Sequence, residues 1–189
     1  QKLDQASLIE FGAGSGTMAQ AILSELAELQ QLPERYYIVE ISAELQHRQK
    51  QTLQQHLPAE LFAKVHWLQQ LPTTPINAVV IANEVLDAMP VERIRVEPDR
   101  TLQGFVTFNQ HTQRFEWDYQ VITDRRLQKF TNQLINHIGP VSEMGYETEI
   151  NLNIGPWLKS LYAIINQGLV LLIDYGYHRE EYYQPARVD

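Results

Sequence analysis

No cysteine occurs anywhere in the 189 residues. That excludes disulfides, thiolate metal sites and cysteine nucleophiles, while leaving the compartment open. Basic residues are the scarcer charge, 15 Lys and Arg against 23 Asp and Glu, for a formal net charge of −8. General attraction to a nucleic acid backbone is therefore not expected, and a basic partner is easier to accommodate. The longest strongly apolar run, residues 169–173, is far too short to span a bilayer, and no charged-then-apolar signal segment opens the chain. The chain reads as soluble, with no membrane insertion. Six histidines show no ligand spacing with carboxylates, so no metal site is expected. Repeats and low-complexity tracts are missing too, although residues 46–56 are rich in glutamine. What is present, 44% hydrophobic and 20% charged residues, is ordinary globular composition sufficient for one domain spanning 1–189. The first residue is Gln rather than Met and the tail is polar and aromatic, which suggests a fragment of a longer protein.

Hydrophobic periodicity divides the chain into two textures. Residues 8–11 form a short apolar strand ending in glycines, and Met18, Ile22, Leu23, Leu26 and Leu29 then recur at helical spacing until Pro33. "YYIVEI" (36–41) reads as a second buried strand, followed by a helix capped by Ser42, with Leu45 and Leu53 inward, that Pro58 ends. "KVHWL" (64–68) and "NAVVIAN" (77–83) supply two more strands. Such alternation predicts an α/β fold, a Rossmann-like, doubly wound, mostly parallel sheet. From 92 to 123, "ERIRVEP", "TLQGFVTFN" and "RFEWDYQVIT" alternate apolar and polar residues and predict an inserted antiparallel β-meander. Asp124 then caps a helix stopped by Gly139-Pro140, "YETEINL" leads into a helix over about 154–166, and "GLVLLIDYG" is the clearest buried strand.

The strand-to-helix junction "EFGAGSG" raises the functional question. Glycines there permit unusual φ angles and let a ligand approach the main chain, beside helix N–H groups that suit an anion. The fit to a dinucleotide fingerprint fails: counting from Gly12 and Gly14, the sixth position is Thr17 and the third glycine falls one earlier, at Gly16. Glu10, at the end of the strand, would repel a pyrophosphate but suits the ammonium of an amino acid. Glu40 ends the neighbouring strand, where an acid accepts ribose hydroxyls. Adenosine with an amino-acid tail means S-adenosyl-L-methionine, held by Glu10, Gly12, Ala13, Gly14, Gly16, Glu40, Ile41 and Asn83. A plain βα turn with a solvated Glu40 is the competing explanation.

Ligands of doubly wound sheets collect at the carboxyl ends of the strands. After the fourth strand, "ANEVLDAMP" places Glu84 and Asp87 three residues apart, so a short helical turn would put both carboxylates on one face. Together they suit a cationic nucleophile such as a guanidinium, one of them taking its proton, which makes them the catalytic candidates. Helix capping by the same residues explains them equally well. Asn83, Asp174 and Tyr175, also at strand ends, are the candidate substrate-binding residues. Glu147 and Glu149 precede a helix and reach either the same cleft or plain solvent.

"LIEFGAGSGTMA", "YYIVEIS", "IANEVLDAMPV" and "GLVLLIDYGY" together resemble the MidA-type class I methyltransferases, the family of a mitochondrial complex I assembly factor that methylates arginine. The resemblance covers nearly the whole chain in order. It implies a sheet ordered 3-2-1-4-5, S-adenosylmethionine at Glu10, Gly12, Gly14 and Glu40, and a substrate-facing role around Asn83, Glu84 and Asp87. It further implies a protein partner with an arginine-bearing basic segment, and a location in the bacterial cytoplasm or the mitochondrial matrix. Relatives usually carry further strands, so the fifth strand would be left at an exposed edge that invites a homodimer. A non-catalytic assembly chaperone with the same fold and an NAD-dependent oxidoreductase are the two competing functional classes.

Overall fold

The computed structural model describes residues 5–139, 141 and 145–183. In chain order the elements are β1 (Ser7–Phe11), α1 (Thr17–Glu28), β2 (Tyr36–Val39), α2 (Ala43–His56), α3 (Ala59–Phe62), β3 (Val65–Leu68), β4 (Ile76–Asn83), β5 (Glu92–Val96), β6 (Thr101–Asn109), β7 (Arg114–Val121), α4 (Arg125–Ile138), β8 (Tyr146–Ile150), α5 (Ile154–Ile164), β9 (Ile165–Ile173) and α6 (Arg179–Tyr182). The described residues divide into two compact units, one within Gln1–Ala88 and Trp157–Tyr175, the other within Met89–Pro156 and Gly176–Asp189.

The first unit is a five-stranded parallel sheet ordered β3-β2-β1-β4-β9, which is the expected 3-2-1-4-5 arrangement. Strand β1 is central and buried along its whole length, so its side chains serve both faces alternately. Leu8 joins Tyr36, Ile38, Ala19, Leu23, Leu53 and Val65 on the face covered by α1, α2 and α3. Ile9 and Phe11 join Ala78, Val80, Leu161 and Ile164 on the face covered by α5, where Phe11 meets Trp157 edge-on at 5.3 Å. Burying one such Leu or Ile side chain contributes about 1.5–3 kcal/mol, and these two layers anchor the strand ends that carry the polar residues.

Strand β9 corrects one expectation. Its apolar run is not buried on both faces: Val170 and Leu172 pack in the core, whereas Leu169, Leu171 and Ile173 are exposed. The physical reason is its position at the sheet edge, where continuous apolarity no longer means two covered faces. The strand also starts earlier than expected, at Ile165 rather than after Asn166, because its pairing with β4 begins at Ile76 and shifts register before Asn77. Helix α1 ends at Glu28, leaving Leu29 exposed rather than on the inner face.

The second unit is an antiparallel sheet ordered β7-β6-β5-β8. Its fourth strand is "YETEI", read from sequence only as a lead-in to a helix. Tyr146, Thr148 and Ile150 alternate with Glu147 and Glu149, and pairing with β5 completes the sheet. Asp124 caps α4 by accepting from the amides of Arg126 and Leu127, and Leu127 and Leu134 bury that helix against Ile94, Val96 and Ile150. Gly139 ends α4; Pro140, paired with it as a stop signal, lies outside the described residues.

Candidate active site

Glu10 is the one charged side chain that β1 sends into the core on the α1–α2 face, and it is completely buried. The Tyr36 hydroxyl, itself inaccessible, donates to Oε2 at 2.7 Å. The other oxygen, Oε1, is buried with no hydrogen-bond partner. Burial raises the Glu10 pKa above its ordinary value, opposed in part by the Tyr36 hydrogen bond. Burial, and then the adjoining Glu10 carboxylate, pushes the Tyr36 phenol far above its usual range. A buried acceptor of this kind costs on the order of 1–3 kcal/mol.

The glycine turn lies immediately beyond. Gly12, Gly14 and Gly16 take φ values of 67°, 53° and 88°, left-handed conformations that side chains adopt only under strain. A Cβ on Gly12 would meet Val85 Cγ2 at 3.0 Å, whereas one on Gly14 would meet nothing within 4 Å. Gly14 therefore leaves open space above the main chain, as a ligand cradle requires. Ala13 points its side chain into the core and offers the turn only its backbone, its carbonyl accepting from Gly16 N at 2.7 Å. Gly16 is the N-cap of α1, and no side chain caps that first turn.

Glu40 lies one residue past the end of β2. Its Oε1 accepts from the Ser42 amide at 2.8 Å, while Gln46 Nε2 donates to its carbonyl at 2.7 Å. Ile41 beside it is 81% exposed, an apolar side chain held out in solvent. Helix α2, capped by Ser42 as expected, aims Gln49 inward: its Nε2 donates to Gly14 O at 3.1 Å and to Glu40 Oε2 at 3.4 Å.

After β4 the expected helical turn is absent. Glu84 takes φ 51° and its amide donates to Ile173 O at 2.8 Å, so the chain bends sharply instead. Asn83 is half-buried at the strand end, and Glu84 and Asp87 are exposed. The Asp174 carboxylate holds this bend: Oδ2 accepts from the amides of Leu86 at 3.0 Å and Asp87 at 3.3 Å, and Oδ1 from the Tyr175 amide at 3.0 Å. Asp174 is thus spent on backbone rather than presented outward. The exposed Tyr175 phenol hydrogen-bonds the Asp87 carboxylate, which raises its pKa, with the charges of Asp174 and Glu84 adding to the effect. The structure therefore does bring Glu84, Asp87 and Tyr175 together, through a bend rather than a helix face.

Glu147 is accounted for inside the second unit. It accepts from Arg93, Arg95 and Tyr119, and these hydrogen bonds outweigh its partial burial and lower its pKa to about 2. Three residues were missed from sequence: Tyr36, Gln49 and Trp67, whose indole N–H donates to Gln49 Oε1 at 2.9 Å. The signal for Gln49 was readable, because it continues the inward stripe of Leu45 and Leu53 at four-residue spacing. Among the described residues no group of three or more His, Asp or Glu side chains could hold a metal ion, and no helix is long and apolar enough to cross a membrane.

A parallel sheet of this order, with an acid–glycine turn after its central strand and a second acid after the next, has the fold of a class I methyltransferase. Residues 1–188 match the family described as "Putative S-adenosyl-L-methionine-dependent methyltransferase", and the chain belongs to that family. It is similar to two crystal structures from Burkholderia thailandensis. One is an uncharacterized superfamily protein, with 31% identity over 98% of this chain and 47% of that one and a TM-score of 0.86. The other is a member of the same superfamily bound to S-adenosyl-homocysteine, with 31% identity over 98% of this chain and 46% of that one and a TM-score of 0.85. The chain spans about half the length of these proteins. Comparison with curated proteins gives no match.

Proposed function

We propose that this chain holds S-adenosylmethionine at Glu10, the turn of Gly12 to Gly16 and Glu40, and methylates a nitrogen of a protein side chain, that of arginine. The buried, unpartnered Oε1 of Glu10 carries this reading. It suits the ammonium of an amino acid and repels a pyrophosphate, which disfavours a dinucleotide. When bound, the cofactor supplies an electrophilic methyl group on a sulfonium centre.

The remaining work falls to the chain. Gly14 leaves the main chain bare, the Glu40 carboxylate accepts sugar hydroxyls, Ile41 covers an apolar base edge, and Asn83 lines the end of β4. Glu84 and Asp87, both exposed around Tyr175, bind an incoming guanidinium and one of them takes its proton. Catalysis then rests on alignment of the nucleophile and exclusion of water. The net charge of −8 agrees with a basic protein segment as substrate. The resemblance to the complex I assembly family makes a respiratory-complex subunit the substrate to look for first.

The test is to incubate the protein with methyl-labelled S-adenosylmethionine and a cell lysate and to locate the label by mass spectrometry. Methylated arginine in a protein is expected. Label found only in small molecules or nucleic acid rules out this substrate class.

A further inference from the structure

Gln49 is completely buried in the middle of a helix that is otherwise strongly polar. A buried amide must be explained by its hydrogen bonds, and this one makes three, one accepted by Oε1 and two donated by Nε2. An indole N–H only donates and a carbonyl oxygen only accepts, so the orientation of the amide is fixed by its neighbours. Oε1 must face Trp67 Nε1, at 2.9 Å, and Nε2 must face Gly14 O, at 3.1 Å. The second Nε2 hydrogen is then turned toward Glu40 Oε2, at 3.4 Å.

The backbone makes the same connection independently. A Cβ on Gly16 would meet Gln49 Cα at 3.4 Å and Gln49 O at 3.5 Å, so the glycine turn rests directly on the helix at this residue. Glu40 in turn is held from its other side by the Ser42 amide on Oε1 and by Gln46 on its carbonyl. Neither leucine nor glutamate does what Gln49 does. Leucine offers no polar atom, and glutamate has no donor for Gly14 and adds a second negative charge beside Glu40.

We propose that Gln49 is a positioning residue that ties the glycine turn to the Glu40 carboxylate and aims that carboxylate at the ribose hydroxyls of the cofactor. The inference rests on the reading of Glu40 as the ribose acceptor. Trp67 is the anchor of the arrangement: it holds Oε1 so that both hydrogens of Nε2 are directed at the site. Gln49 itself touches no ligand, so its loss acts through Glu40 and Gly14.

The experiment is calorimetric titration with S-adenosylhomocysteine and with its 2′-deoxyribose analogue. The readout is the ratio of the two dissociation constants, which a merely structural role would leave unchanged because both ligands would weaken together. The native chain is expected to prefer the ribose ligand by roughly tenfold or more, and E40Q to lose most of that preference. Q49M keeps the side-chain length but neither donor nor acceptor, and is expected to reduce the ratio to within about threefold. Should Q49M fail to fold, W67F removes the anchoring N–H together with part of the indole ring; lost packing would weaken both ligands alike, so the ratio is read the same way, with a reduced ratio expected. A native chain that does not discriminate, or an E40Q variant that still does, overturns the ribose assignment of Glu40 and this inference with it. If the native chain and E40Q behave as expected while Q49M, or W67F in its place, keeps the full ratio, Glu40 stands and the role of Gln49 is refuted.

Discussion

The Tyr36 hydroxyl donates to Glu10 Oε2 at 2.7 Å across the β1–β2 pair and leaves the second carboxylate oxygen buried without a partner. One half of the carboxylate is thereby fixed and the other kept available. Stability is sacrificed for this, since burying a polar oxygen without a partner is unfavourable.

Glu10→Gln is accordingly expected to make the unliganded chain more stable near neutral pH, by about 1–2 kcal/mol, or a few degrees in Tm. Its pKa is raised on folding, so the native state holds the proton that the unfolded state releases. Native stability should therefore be highest below the ordinary carboxylate value, decline as pH rises from there through the raised value, and then level off. Thermal melts across that range check this. A variant with lower Tm and an unchanged pH profile would show that Glu10 is an ordinary satisfied core residue.

Substitutions in the glycine turn should separate folding from binding. Gly14→Ala forces a Cβ onto a left-handed residue but meets no neighbour, so it should cost about 1–2 kcal/mol while weakening S-adenosylhomocysteine binding at least tenfold. Gly12→Ala adds the 3.0 Å approach to Val85 and should lose more stability than Gly14→Ala. Denaturation curves and calorimetry on both variants supply the comparison.

Removing the brace behind the acid pair should spare binding and harm transfer. Asp174→Ala releases the amides of Leu86 and Asp87, so Glu84 and Asp87 lose their fixed placement. Cofactor affinity should change less than about threefold, whereas methyl transfer falls by at least about tenfold. Equal losses in both would instead mean that Asp174 contacts the cofactor itself.

The second unit carries its own pH signature. Glu147 is lowered to about 2 by the hydrogen bonds of Arg93, Tyr119 and Arg95, which overcome its partial burial. Its contribution is fully present above the ordinary carboxylate value and is lost as pH falls from there toward 2. Glu147→Gln should cost about 1–3 kcal/mol at pH 7, and the gap between native chain and variant should close at acid pH. Chemical denaturation at pH 7 and at pH 3 measures that gap.

The architecture was legible wherever periodicity was unambiguous. The parallel sheet, the Ser42 and Asp124 caps and the turn at Gly12 to Gly16 follow from spacing, cap chemistry and glycine placement, whereas the order of the five core strands came with the family resemblance. The edge position of the last strand came with the family resemblance, but the exposure of one of its faces was not legible, because the run 169–173 has the same composition whether one face or two is covered. The strand Tyr146–Ile150 was hidden because two of its five residues are glutamates, and Glu147 is stabilised by arginines on the neighbouring strand β5 and a tyrosine on β7. In the site, the acids were visible as strand-end carboxylates. The inward direction of Gln49 was readable from its helical spacing, but the pairings of Tyr36 with Glu10 and of Gln49 with Glu40, 26 and 9 positions apart, are not revealed by spacing alone.

The central claim is that Glu10 receives the ammonium of an adenosyl amino acid, and calorimetric titration of the native chain and of Glu10→Gln over a pH series rising from the ordinary carboxylate value, with S-adenosylhomocysteine and with NAD, tests it most directly. Affinity of the native chain for S-adenosylhomocysteine should strengthen with pH as Glu10 ionises and then become constant; the variant should bind at least tenfold more weakly with no such dependence, and NAD should give no heat. Binding of NAD as tight as that of S-adenosylhomocysteine, or a variant that binds as well as the native chain, would contradict it.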